Sequence, residues 1–144
     1  MRLLVINGPN LNLLGVRRPD IYGEATLGEL EAKCREWGAA LGLEVDTYQS
    51  NHEGAIIDRL HDAIGEAAGI VINPGALAHT SYALHDAIEA TRLPAVEVHI
   101  SDITAREPWR RDSVTRPACI ASVTGKGIEG YREAIQMLAD HLKG

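Results

Sequence analysis

The chain has 144 residues, with 14 basic and 20 acidic side chains and a formal charge of −6. Hydrophobic residues make up 45% and charged residues 24%, an ordinary globular mix, and the length suits a single domain, 1–144, whose core needs no staple. The acidic balance argues against nucleic acid or an anionic membrane as partner, but it leaves room for an anionic small molecule at a locally basic site.

Short β-rich runs alternate with helical patterns. Leu3 to Asn7 reads as a buried strand. Thr26 opens a helix as a capping box with Glu29, and Leu27, Leu30, Cys34, Trp37 and Leu41 follow as one apolar stripe. Val45 to Gln49 is the next strand. Ile57, Leu60, Ile64 and Ala67 mark a second helix, and Ile70 to Asn73 a third strand. Ser81 to Ala90 reads as a third helix with Leu84 and Ile88 inward. Ala95 to Ile100 and Ala118 to Val123 are the fourth and fifth strands. Ile128, Tyr131, Ile135, Leu138 and Leu142 stripe the last helix.

Strand–helix alternation predicts an α/β fold, a parallel sheet with helices on both faces. Five strands suit a flavodoxin-like, doubly wound order. The two cysteines, Cys34 and Cys119, have no CxxC or metal-finger spacing and read as free thiols of a reducing compartment. The first apolar run ends at Asn7, too short for a signal peptide, and no run reaches the ~18 apolar residues of a membrane span. The expectation is a cytoplasmic protein without a membrane partner.

Two connections are long, Gly8 to Ala25 and Ser101 to Arg116. Such units usually join through about 2–6 residues, and longer loops tend to be lids or binding loops. The first is read either as a lid hinged at Gly8, Gly15 and Gly23, or as a surface excursion with Leu13 and Leu14 packed down.

Ligands of an open parallel sheet bind beyond the carboxyl ends of its strands. The five strands deliver Asn7 to Asn10, Gln49 to His52, Asn73 to Gly75 with His79 beyond, then His99, Ser101 and Asp102, and finally Thr124 and Gly125. GxGxxG and GxxxxGK[ST] are absent, so neither a dinucleotide nor a nucleoside triphosphate is indicated. Glu97 and His99 share one face of a strand. They suit a carboxylate that fixes an imidazole tautomer, a core ion pair, or two metal ligands. Thr80 or Ser81 can cap the third helix. Arg17 and Tyr22 on the first long loop suit a guanidinium that stabilises a phenolate base, or simple packing.

Several of these segments resemble the type II 3-dehydroquinate dehydratases. They are Ile6-Asn7-Gly8-Pro9-Asn10-Leu11-Asn12-Leu13-Leu14-Gly15 with Arg17, Pro19 and Tyr22-Gly23; Gln49-Ser50-Asn51-His52-Glu53-Gly54; His79-Thr80-Ser81 with Ala83-Leu84-His85-Asp86-Ala87; and Glu97-Val98-His99-Ile100-Ser101 with Ala105-Arg106-Glu107-Pro108-Trp109-Arg110. The match runs from end to end in order. It implies a hydro-lyase of the shikimate or quinate pathway that converts 3-dehydroquinate to 3-dehydroshikimate through an enolate, with no cofactor and no metal. The resemblance makes Tyr22 the base, Arg17 its partner, Asn10 the enolate contact with a water, and His99 the general acid oriented by Glu97. It makes Asn73, Ile100 and Ser101 carboxylate and hydroxyl contacts, and His79 and Arg110 further substrate contacts. It assigns Asp86 to a neighbouring subunit's site in a homo-oligomer, a dodecamer built from trimers.

Four positions depart from the family pattern. Arg18 replaces an acidic residue or glutamine, Asp102 a frequent asparagine, Thr104 a common histidine, and Asp112 a basic or imidazole residue. Two other functions fit the same scaffold: a binding or regulatory module without catalysis, and an enzyme that enolises a related hydroxy-ketone acid.

Overall fold

The computed structural model describes Met1–Gly144. Five parallel strands, β1 (Arg2–Asn7), β2 (Glu44–Gln49), β3 (Gly69–Asn73), β4 (Ala95–His99) and β5 (Ala121–Thr124), lie in the order 2-1-3-4-5. That is the flavodoxin-like doubly wound order the alternation predicts. β1, β3 and β4 are buried along nearly their whole length, as continuous apolar strands covered on both faces must be. β2, on the edge, is only half-buried.

Successive residues of β1 feed opposite layers. Leu3 and Val5 pack with Leu30 and Cys34 of α2 (Leu27–Ala40) and with Tyr131, Ile135 and Leu138 of α5 (Glu129–Lys143). Leu4 and Ile6 pack with Ile56 and Leu60 of α3 (Glu53–Ala63) and with Leu84 and Ile88 of α4 (Tyr82–Thr91). A four-residue helix, α1 (Pro19–Tyr22), lies within the first long connection. No helix is long and apolar enough to cross a membrane.

The caps work as side-chain acceptors for free helix N–H groups. Thr26 accepts from the Glu29 N–H at 3.2 Å, and Ser81, rather than Thr80, accepts from Leu84 N–H at 2.9 Å. The second helix differs from its predicted stripe. Its buried face is Ile56, Leu60 and Ala63, the chain leaves the helix at Ile64, and that side chain is 52% exposed. β5 begins at Ala121, because Arg116–Ala118 form a 3₁₀ turn first. In the first connection Leu11 and Leu14 are packed down, whereas Leu13 is 42% exposed.

The chain runs from β1 outward to β2 and then returns to β3 on the other side of β1. The crevice between the β1 and β3 ends is the topological switch point. The two loops there are pressed together. A Cβ on Gly8 would lie 2.6 Å from the Pro74 carbonyl oxygen, and one on Gly75, at φ +60°, would lie 2.9 Å from the Pro9 carbonyl oxygen. Gly28 on α2 faces open space. Gly8→Ala is therefore expected to lower stability by about 1–3 kcal/mol through overpacking, whereas Gly28→Ala raises it by about 0.5–1 kcal/mol through helix propensity. Urea midpoints at constant slope measure both, and a wild-type midpoint for Gly8→Ala would contradict the close approach.

Candidate active site

β4 carries Glu97 and His99 into the interior, at 1% and 6% exposure. A buried carboxylate must be partnered, and Glu97 is partnered on both oxygens. Its Oε2 accepts from the His99 Nε2–H at 2.8 Å and from the Ser113 hydroxyl at 2.7 Å, and its Oε1 accepts from the Thr115 hydroxyl. Burial alone would raise the Glu97 carboxyl, but the His99 contact and the two hydroxyls outweigh it and hold the group below the usual range. An ionised carboxylate can only accept, so the hydrogen sits on Nε2 and Nδ1 is left for another partner. The two residues are thus a carboxylate–imidazole pair, and the Glu97 oxygens are already occupied.

The first long connection brings Tyr22 to the same place. Arg17 lies over its ring at 4.7 Å from guanidinium carbon to centroid. A second guanidinium acts on it more directly: Arg106 Nη1 donates to the Tyr22 hydroxyl at 2.6 Å and to the Ser101 hydroxyl at 3.4 Å. Sequence reading left Arg106 without a role. It sits in a family-like motif, but nothing in linear spacing links it to a tyrosine 84 residues away.

Asn10 caps a 3₁₀ turn in the left-handed region at φ +72°, a conformation asparagine tolerates better than most residues. Its backbone N–H donates to the Asn51 side chain at 2.9 Å, and Gln49 donates to that same oxygen at 3.1 Å. The end of β2 thereby secures the loop after β1. On the other side, the His79 Nδ1–H donates to the Asp112 carbonyl at 2.7 Å. His79 stacks on His99 at 6.3 Å between centroids and meets the Trp109 edge at 5.5 Å. Arg110 covers the Trp109 ring at 3.9 Å and donates to Glu107 at 2.5 Å.

These groups surround a cavity of about 180 Å³ at the switch point, lined by Asn10, Arg17, Tyr22, Asn73, His79, His99, Ile100, Ser101, Arg106 and Arg110 among others. Three guanidinium groups and no carboxylate line it. An acidic chain has built a locally basic pocket, suited to a small anion. Of the expected site residues, Glu97 stands behind His99, and Asp86 is the one the chain does not bring in. Asp86 lies on α4, 80% exposed, with its carboxylate 3.1 Å from His85 Nδ1. No group of three or more His, Cys, Asp or Glu side chains converges as metal ligands do. Burial pushes the thiols of Cys34 and Cys119 up to about 12, so neither is a reactive thiolate.

The departures from the family pattern are locally compensated. Arg18 pairs with Asp20 at 3.2 Å, and both are exposed. Asp102 and Thr104 bond to each other: the Asp102 carboxylate accepts from the Thr104 hydroxyl at 2.6 Å and from its N–H at 3.0 Å. The Thr104 contacts hold the Asp102 carboxyl below its usual range. Asp112 enters the site through its backbone carbonyl, which any residue supplies.

A parallel α/β sheet with an imidazole–carboxylate pair and an arginine-held tyrosine at its switch point has the layout of an enzyme active site suited to a small anion. Residues 1–139 match the family described as Dehydroquinase class II. A 3-dehydroquinate dehydratase of Rhodopseudomonas palustris is 57% identical over 141 residues, covering 97% of this chain and 93% of that protein. A catabolic 3-dehydroquinase of Verticillium alfalfae is 49% identical and covers 99% and 95%. The crystal structure of the type II dehydroquinase from Butyrivibrio crossotus superposes with a TM-score of 0.94 at 48% identity, covering 96% of this chain and 97% of that one. The chain belongs to the class II dehydroquinase family.

Glu97 yields a prediction on stability. Glu97→Gln replaces an acceptor of three donors with a group that is half donor, which is expected to cost about 1–3 kcal/mol at pH 7. A carboxyl held low in the folded state stabilises above its unfolded value, about 4.3, and loses that contribution as pH falls through the folded value. The gap between wild type and Glu97→Gln should therefore narrow below about pH 4. Urea unfolding at pH 7 and pH 3.5 measures it, and a gap that widens in acid would contradict the assignment.

Proposed function

We propose that the chain removes water from 3-dehydroquinate to give 3-dehydroshikimate through an enolate, with Tyr22 as base and His99 as general acid. The observation that carries this reading is the Tyr22 hydroxyl held by Arg106 at 2.6 Å in the same cavity as His99. Family membership and the names of the relatives support the substrate.

The chemistry follows from the groups present. A proton next to a ketone is weakly acidic, so its removal needs a base and a stabilised oxyanion. Arg106, which donates to the Tyr22 oxygen, and Arg17, which lies over its ring, are the guanidinium partners that a phenolate formed there would have. The phenolate takes the proton, and the electron pair moves to the ketone oxygen as an enolate. Asn10, with a water, donates to that oxygen. Protonated His99 then gives a proton to the hydroxyl at the adjacent carbon, the C–O bond breaks, and water leaves as the enolate collapses to the conjugated ketone. Glu97 keeps the Nε2–H tautomer and stabilises the imidazolium before that transfer, as the carboxylate of a catalytic triad does. Proton transfer from Tyr22 to His99, directly or through solvent, resets the pair. Asn73, Ile100 and Ser101 suit the substrate carboxylate and hydroxyls, and Arg110 and His79 close the pocket around them. No step calls for a cofactor or metal.

Asp86, remote from this chain's own cavity, fits a role in a neighbouring subunit's site, and we extend the proposal to a homo-oligomer of the dodecameric kind. The chain would act in the cytoplasm, on the shikimate or quinate route, as a single catalytic domain.

The test is ultraviolet absorbance on mixing chelator-treated protein with 3-dehydroquinate, because the conjugated product absorbs and the substrate does not. The expected result is a chelator-resistant rise that falls by about 10²–10⁴-fold in both Tyr22→Phe and His99→Ala. Binding without product would point to the non-catalytic module, and turnover of a different hydroxy-ketone acid alone would replace the substrate. Near-wild-type rates in both variants would overturn the roles.

A further inference from the structure

By its spacing Tyr131 belongs to the apolar stripe of α5, and its ring lies fully buried in the core. Its hydroxyl has a different destination. It sits between Asn7 and Asn73, which are paired neighbours at the ends of β1 and β3. The Asn73 Nδ2–H donates to the Tyr131 oxygen at 2.9 Å, and the Tyr131 O–H donates to Asn7 Oδ1 at 2.5 Å.

The direction of this chain of bonds is fixed at its start. The Gly75 N–H, which can only donate, gives to Asn73 Oδ1 at 3.1 Å. Asn73 must therefore turn its Nδ2 to Tyr131, Tyr131 must accept there and donate onward, and Asn7 must offer its oxygen. The chain ends on Asn7 Nδ2, the one buried side-chain polar atom without a partner. A leucine at position 7 would remove that orphan but leave the tyrosine O–H without an acceptor. Burial pushes the Tyr131 hydroxyl upward, keeping it protonated and able to donate. Asn73 alone of the three lines the cavity. Its Nδ2 carries two hydrogens, and Tyr131 holds only one of them.

We infer that Tyr131 is a positioning residue: it fixes the Asn73 amide so that the second Nδ2–H points at the bound substrate. This rests on the dehydratase reading of the cavity. It explains why a polar atom is kept in an otherwise apolar stripe, and why an asparagine at β1 tolerates an orphaned donor.

The test is steady-state kinetics on 3-dehydroquinate for wild type, Tyr131→Phe, Asn73→Ala and the double variant, with Ile135→Val as a core control on the same helix. Tyr131→Phe deletes one atom and keeps the ring. The expected result is a KM raised about tenfold, the size of one lost hydrogen bond to a charged group, with kcat within about twofold. The control, destabilised without touching Asn73, keeps the wild-type KM. Adding Tyr131→Phe to Asn73→Ala raises KM no further. An unchanged KM in Tyr131→Phe beside an active wild type overturns this inference alone, as does a fully additive double variant. A wild type without turnover overturns the dehydratase reading instead.

Discussion

A carboxylate in the middle of a parallel sheet cannot rely on water, and the surroundings of Glu97 answer that constraint. Its two oxygens draw in the His99 ring from the same strand and the hydroxyls of Ser113 and Thr115 from the connection that follows. Satisfying the charge thereby does three things. It sets the imidazole tautomer, it fastens the far end of the Ser101–Arg116 connection to the sheet, and it holds the connection whose Arg110 lines the cavity. His79 is bonded to the same connection through the Asp112 carbonyl. One buried charge thus ties β4 to the connection that follows it.

The second principle is charge separation by location. The chain is acidic overall, yet Arg17, Arg106 and Arg110 face the cavity while the carboxylates stay behind or outside it. Arg106 is the hinge of this arrangement because it joins the two long connections. It donates to Tyr22 on the first and to Ser101 at the start of the second. A guanidinium suits the task because it stays charged and offers several donors in one plane. The same contact that orients the tyrosine closes the wall of the cavity.

Much of the architecture was legible in the sequence, for physical reasons. Buried parallel strands must be apolar on both faces, so Leu3–Ile6 and Ile70–Ile72 stand out, and caps such as Thr26 and Ser81 announce helix starts. Parity along a strand was enough to pair Glu97 with His99. What failed was of two kinds. In α3 Leu60 holds its expected place and Ile57 packs at the core's edge, but Ile56 and Ala63 complete the buried face and Ile64 lies past the helix end, a choice that only packing against β1 decides between two adjacent isoleucines. Long-range polar contacts were invisible. The Arg106–Tyr22 bond spans 84 residues, and Tyr131 passes for a core aromatic because its single polar atom is buried at the β1–β3 crevice, 124 residues from Asn7. Asp86 lies exposed on α4, outside this chain's own cavity.

The proposed division of labour gives Tyr22 the carbon-bound proton and His99 the leaving hydroxyl. Deuterium exchange separates the two steps. Each variant is incubated with 3-dehydroquinate in D₂O, and proton NMR follows the carbon next to the ketone. His99→Ala should still exchange that proton through the enolate while forming almost no product, and Tyr22→Phe should do neither. Exchange that survives in Tyr22→Phe and vanishes in His99→Ala would contradict the account.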